Sequence, residues 1–398
     1  MASSALAERR EQASTAYAEL EVPAFRGVPG WEFTPIDKLD LDAFPAAPGG
    51  VGEDPFGFED AITLSADAPA GDAPIVMPLA EAAERFPELV ERHLGTVVTQ
   101  RTPFTVRNDA HWTDGAFVYV PRGVQVQEPI VVSTLQEQAG TTLHWRLLVV
   151  LEEDASATVW HASSSAAGGD AIVNGVVELV VGQNARLRFV DLQDLDERTW
   201  VFGAQRATVA RDGWLDWITL GFGSANGKVF QETQLAGPGA HGTVTGAYAA
   251  RGRQHLDFDT LQEHAAPDTT SDLAFRGLLG DRSSAVWRGM IKVDPGAQRT
   301  DAFQESRNLL LSKKAHADAI PGLEILANDV RCTHAAAVAQ IDKEQVFYLR
   351  AHGLDEARAQ RLVIEGFLQA LVERFEEGPV REAVGAAVER RLKAVLGA

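Results

Sequence analysis

The spacing of apolar positions changes character twice along this chain. Residues 1–95 mix helical periodicity with loop composition. Ser3 to Leu20 reads as a helix rich in Ala and Glu. Ala43 to Gly57, AFPAAPGGVGEDPFG, reads as a Gly/Pro-rich loop. Pro78 to Gly95, PLAEAAERFPELVERHLG, reads as a second helical segment, broken near Pro87 and stopped by Gly95.

From about Thr96 the period shortens to two. PIVVSTL (Pro129–Leu135), TLHWRLLVVL (Thr142–Leu151), NGVVELVV (Asn174–Val181), ARLRFVDL (Ala185–Leu192), GWLDWITLGF (Gly213–Phe222) and TVTGAYAA (Thr243–Ala250) alternate or run apolar. Their Val, Thr, Trp and Phe content predicts strands. No strong helical pattern interrupts them before residue 343. A turn with a small or polar residue precedes several strands, in EDASATV, GQNARLRF, RDGWLDWI and GAHGTVTG. Ala155, Ala185, Gly213 and His241 then occupy matching places, so the unit recurs at nearly constant length. Recurring strand-plus-turn units mark a β-solenoid, in which each coil stacks on the last and extends one apolar interior. Past His241 the spacing reads as irregular, which leaves an all-β sandwich as the alternative. Trp145, Trp160, Trp200, Trp214, Trp217 and Trp287 fall in or beside these strands and are expected to pack its walls.

After residue 342 the helical period returns. DKEQVFYLRAHG ends on Gly353 as a C-cap, Asp355 is placed to N-cap the next helix, and Pro379 opens a third. Three regions are therefore expected: a helical and loop region over 1–95, a β core over 96–342 and a helical domain over 343–398.

Charge sharpens this division. The chain has 398 residues and a formal net charge of −20, from 36 basic and 56 acidic side chains. Residues 1–100 hold 18 acidic and 6 basic side chains, whereas residues 343–398 hold 9 of each. The overall field repels nucleic acid and anionic membrane. MASSALAERREQASTAYAEL lacks the apolar centre of a secretory signal, and no uncharged apolar run is long enough for a bilayer. A single cysteine forms no internal disulfide and suits a reducing compartment. A cytoplasmic protein is the expectation.

That cysteine is the main candidate for chemistry. It lies in NDVRCTHAAAVAQ, with His334 two positions after Cys332. On a strand, positions i and i+2 share a face, ~6.5–7 Å apart. Thiolate and imidazole both suit soft or borderline metals. Two ligands do not close a tetrahedral site, and the chain has no second cysteine to help. A metal here would need ligands from another polypeptide. Spacing alone leaves two other readings open: a structural Cys–His pair with a small buried thiol, and a nucleophilic dyad. His255, Asp257 and Asp259 alternate in HLDFD and read as one solvated strand face. No phosphate-binding loop or dinucleotide fingerprint is present.

TDAFQESRNLLLS (Thr300–Ser312), PGLEILANDVRCTHAAAVAQID (Pro321–Asp342) and EQVFYLRAHGL (Glu344–Leu354) resemble the SufB/SufD family of iron–sulfur cluster assembly scaffolds. WEFTPIDKL (Trp31–Leu39) resembles a short motif near the start of the SufD branch. The likeness is to SufD more than to SufB. Asn308 stands where SufB carries a thiol, and CTHAA stands where SufB tends to have EHEAT. Ala335 and Ala339 depart from glycines usual in the family. The resemblance implies a mostly β fold, a right-handed parallel β-helix core with helical flanks. It implies a scaffold without catalytic residues of its own, joined to SufB through the β-helix. It also implies docking of the ATPase SufC by the C-terminal helices, for which Phe347, Tyr348, Val363, Phe367 and Leu371 are the candidate contacts. Cys332 and His334 take the family's metal positions, toward a transient iron–sulfur cluster shared with SufB and not held stably by this chain alone. Homodimerisation through the same edge stays open. Two other functions compete: a carbohydrate-active β-helix enzyme, and a plain interaction module with a structural Cys–His pair.

Overall fold

The computed structural model describes residues 4–23, 27–37, 39–67, 73–166 and 168–396. Two sheets stand face to face. One runs in the spatial order β1 (Ile75–Pro78), β2 (Asp114–Val120), β4 (Thr142–Leu151), β6 (Ala171–Val181), β8 (Thr199–Val209), β10 (Asn226–Leu235), β12 (His255–His264), β14 (Ser284–Val293) and β16 (His316–Ile325). The other runs β3 (Ile130–Gln136), β5 (Ser156–Ser165), β7 (Arg186–Asp194), β9 (Trp214–Gly221), β11 (His241–Ala250), β13 (Thr270–Leu279), β15 (Thr300–Leu310) and β17 (Val330–Gln340). Every pairing is parallel except β1 with β2. From β2 onward successive strands alternate between the sheets, so the chain winds as a parallel β-solenoid.

The repeat does not fade after His241. Register carries His241 onto Thr270, Thr270 onto Asp301 and Asp301 onto Arg331. The sequence masks this because the corner residue varies in identity while keeping its backbone. Asp154, Asn184, Asp212, Gly239, Asp268 and Arg299 all sit in the left-handed region, with φ from 53° to 74°. Asp and Asn tolerate that conformation better than other non-glycine residues. Proline, glycine and arginine nearby hide the pattern in a letter-by-letter reading.

Strand alternation sends one set of side chains into the space between the sheets. Leu143, Leu147, Leu187, Phe189, Trp217, Phe275 and Trp287 are fully or nearly fully buried there in one cluster that runs the length of the core. The other set faces outward and is covered differently on the two sheets.

On the nine-stranded sheet the cover comes from the N-terminal region. Its helices are α1 (Ser4–Tyr17), α2 (Leu79–Arg85), α3 (Pro87–His93) and α4 (Pro103–His111). The break at Pro87 and the left-handed Gly95 stand where the sequence puts them. α4 escapes the sequence reading: its nine residues are short for a periodicity argument, although Thr102 builds a capping box with Thr105 and Pro103 opens the first turn. β1 also lies within the stretch expected to be helical and loop. Trp31 packs on Phe104, with ring centroids 5.0 Å apart, and on Phe230 at 5.6 Å. This segment covers HLDFD, so the expected solvated face is a correction. Asp257 is 2% exposed, takes a hydrogen bond from Thr34 and pairs with Lys228 at 2.8 Å. Burial pushes the Asp259 carboxyl up to about 6.

On the eight-stranded sheet the cover is the C-terminal pair α6 (Glu356–Val372) and α7 (Pro379–Leu396). Ile364, Leu368, Leu371, Val388 and Leu392 pack against Trp160, Val190, Ile218, Leu220 and Leu278. A shorter helix, α5 (Lys343–Ala351), leads into them and is N-capped by Asp342. No helix among the described residues is long and apolar enough to cross a membrane.

Candidate functional site at the end of the solenoid

β16 and β17 are the last strands of their sheets, and no strand among the described residues pairs beyond either. β17 pairs with β15 so that Ala302 faces Cys332 and Gln304 faces His334. Gln304 is fully buried and donates from Nε2 to the carbonyls of Gly289 (3.2 Å) and Gly322 (3.0 Å), on the opposite sheet. That face is therefore the interior face. Cys332, His334, Ala336, Val338 and Gln340 share it by alternation. Interior positions elsewhere are roofed by the next coil. Here they open to solvent: Cys332 is half-buried, His334 is exposed, and Val338 is 44% exposed.

The two candidate ligands thus lie side by side in the mouth of the solenoid. Cys332 packs among Ile291, Val293, Ala297 and Ala302. Burial, and then the nearby Asp301 carboxylate, push its thiol pKa up. The isolated chain accordingly holds a thiol rather than a thiolate, and a cation or a donor from outside would be needed to favour the ligating form. The His334 ring has no hydrogen-bond partner among the described residues. No group of three or more His, Cys, Asp or Glu side chains there could hold a metal. Asn308 also faces inward, on β15, where it accepts from the Tyr248 hydroxyl and donates to Ser306 Oγ at 3.4 Å. Ala335 and Ala339 lie in regular strand without positive φ, so alanine costs nothing there that glycine would avoid.

The candidate partner contacts separate into two groups. Phe347 and Tyr348 are 72% and 62% exposed on α5. Phe347 lines an open cleft of about 560 Å³ with Leu311, Ile341 and Arg350. Val363 and Phe367 are half-buried on α6, with the Arg276 guanidinium 6.0 Å from the Phe367 ring centre. Leu371 is a correction: at 1% exposed it belongs to the packing of α6 on the sheet and presents nothing outward. At this end of the solenoid the sequence reading missed three exposed apolar residues, Ile325 and Leu326 at the end of β16 and Val338 on β17. Extending the i, i+2 register from Cys332 would have found Val338.

Fold and site together define a parallel β-solenoid whose last coil is left unstacked, with a Cys–His pair in its mouth. Residues 133–367 match the family model described as SUF system FeS cluster assembly, SufBD core domain, and residues 59–132 match that of the SufBD protein N-terminal region. The chain belongs to the SufBD family. It is 32% identical over 317 residues to "Iron-sulfur cluster assembly protein SufD" of Bacillus subtilis, covering 78% of this chain and 72% of that one. It is 33% identical over 290 residues to "Iron-sulfur cluster assembly SufBD family protein Rv1462" of Mycobacterium tuberculosis, covering 71% and 72%. Against "Iron-sulfur cluster assembly protein SufB" of Bacillus subtilis the identity is 27% over 283 residues, covering 71% and 60%.

Proposed function

We propose that this chain is a SufD-type scaffold subunit in iron–sulfur cluster assembly, and that its last coil is completed by a SufB-type subunit. The observation that carries this reading is the unstacked end. Two adjacent strands leave hydrogen-bonding edges and apolar interior positions in solvent, which a soluble protein covers or uses. A second solenoid end stacked there would continue both sheets and roof Cys332 and His334. His334, with Cys332 beside it, then contributes to a cluster whose remaining ligands come from the partner. A SufC-type ATPase docks on the C-terminal helices, with Phe347 and Tyr348 the candidate anchors. The chain acts as a scaffold and carries out no catalysis alone.

The test is co-expression with SufB and SufC from the same source, followed by co-purification and iron and sulfide analysis. Complex formation with His334→Ala is expected to survive while bound iron and sulfide fall severalfold. Unchanged cluster content in an intact complex removes His334 from the site. Loss of SufC from Phe347→Ala/Tyr348→Ala, with SufB retained, is the expected result for the helical surface. Retention of SufC moves its docking site elsewhere.

A further inference from the structure

We propose that the solenoid interior holds a cluster of ordered water molecules between Trp145, His161, Gln205 and Gln231, in the coils spanning β4 to β10 and away from Cys332 and His334 on β17. These side chains face the space between the sheets, yet they are polar in an otherwise apolar cluster. His161 is 4% exposed, Trp145 6%, and Trp217 and Gln231 are fully buried. The His161 and Trp145 rings lie parallel, 6.1 Å apart. His161 Nδ1 bonds Asp191 Oδ1 at 2.8 Å, and Gln205 Nε2 donates to Asp191 Oδ2 at 2.7 Å. Thr219, next to Asp191 in register, donates to Gln231 Oε1 at 3.1 Å. Two hydrogen-bonded groups thus stand next to each other in register: His161 with Asp191 and Gln205, and Thr219 with Gln231.

Their outer valences are unused. His161 Nε2, Gln205 Oε1, Trp145 Nε1, Trp217 Nε1 and Gln231 Nε2 are buried and have no hydrogen-bond partner among the described residues. Buried polar groups are seldom left so, because each orphan costs about 1–3 kcal/mol. Space is present as well. Gly175 sits between Trp145 and Gly203 in the facing sheet, and a Cβ built on it would meet nothing within 4 Å.

The signs of the free valences select the ligand. With Nδ1–H donated to Asp191, His161 Nε2 is an acceptor, as is Gln205 Oε1. The two indole N–H groups and the Gln231 amide are donors. Indole and amide N–H groups offer no lone pair to a metal cation. An anion would face a lone pair beside the Asp191 carboxylate. A small neutral molecule that both donates and accepts satisfies the set, and water fits the room.

A high-resolution crystal structure of the full chain, with and without xenon pressure, tests this. Density peaks are expected within hydrogen-bond distance of His161 Nε2 and Trp145 Nε1, with no xenon beside Gly175. Xenon seated there, or those atoms still unpartnered without density, overturns the proposal, since a dry apolar void takes xenon. Gly175→Val sharpens it by sign. Filling a hydrated site strands polar atoms, so Tm is expected to fall by several degrees. A rise in Tm, as filling an empty void would give, overturns it too.

Discussion

At the start of the solenoid every position of β4 is buried; at its end most of β17 is exposed. The backbone coil is the same in both places. The near end is finished by its own chain. β1 adds antiparallel to β2, Ser65 N–H donates to the Val76 carbonyl beyond it, and Gly50 exchanges hydrogen bonds with Leu135 on β3 at 2.9 and 3.0 Å. Ile62 N–H donates to the Pro129 carbonyl at 2.9 Å on the same edge. Among the described residues no strand pairs beyond the far end. A stack of coils needs both ends closed, so the difference teaches that one end is closed by the chain itself, while the other carries an open edge, the one that the proposed function assigns to a SufB-type subunit.

The near end should break first and hardest. Glu178 is fully buried and accepts from the backbone N–H groups of Gly95 (2.8 Å), Val97 (3.1 Å) and Val98 (3.1 Å), while Arg146 approaches at 3.4 Å. Glu178→Ala strands three backbone donors and takes one of two carboxylates from the buried Arg146 guanidinium, leaving Asp109. Urea denaturation is expected to show a loss of about 3–5 kcal/mol. A cost under about 1 kcal/mol would mean that the cover barely contributes to folding.

Trp31→Ala follows. The ring is 6% exposed within the aromatic cluster of Phe104, Phe202 and Phe230. Its removal should cost about 3 kcal/mol and raise proteolysis of the N-terminal region before that of the core. Simultaneous cleavage of both would show the cover and the solenoid to be one cooperative unit.

The covered face also sets a pH signature. The Asp259 carboxyl is pushed up to about 6, chiefly by burial, with Lys228 and Arg288 opposing. A carboxyl raised in the folded state stabilises when protonated. Its contribution is full below the unfolded value near 4 and is lost as pH rises through about 6. Asp259→Asn should therefore gain stability relative to the native chain between pH 4 and 7, by about 2 kcal/mol. A difference that does not change over that window contradicts the shift.

The smallest effect on the isolated chain belongs to the far end. Val338→Lys should leave stability within about 0.5 kcal/mol, because the side chain is already largely in water. Its effect is expected in SufB co-purification, which it should abolish. Undiminished complex formation would move the interface away from β17.

Much of this was legible without coordinates. Period-two runs gave the strands, and the capping residues Gly95, Gly353, Asp355 and Pro379 gave helix ends, because both signals are local. HLDFD failed for the opposite reason: alternation shows that His255, Asp257 and Asp259 share a face, not what lies over it. Leu371 failed likewise, since a helical stripe looks the same whether it meets a partner or its own sheet. The solenoid repeat after His241 was hidden because φ, not residue type, is what each corner keeps.

The amino-acid sequence alone determined the coil, the flanking helices and the placing of Cys332 and His334 on one strand face, because each follows from contacts between residues near in sequence. Only the tertiary structure decided that this face opens at an unstacked end while HLDFD and Leu371 are covered. Burial depends on segments hundreds of residues apart, and nothing in local spacing records which of them meet.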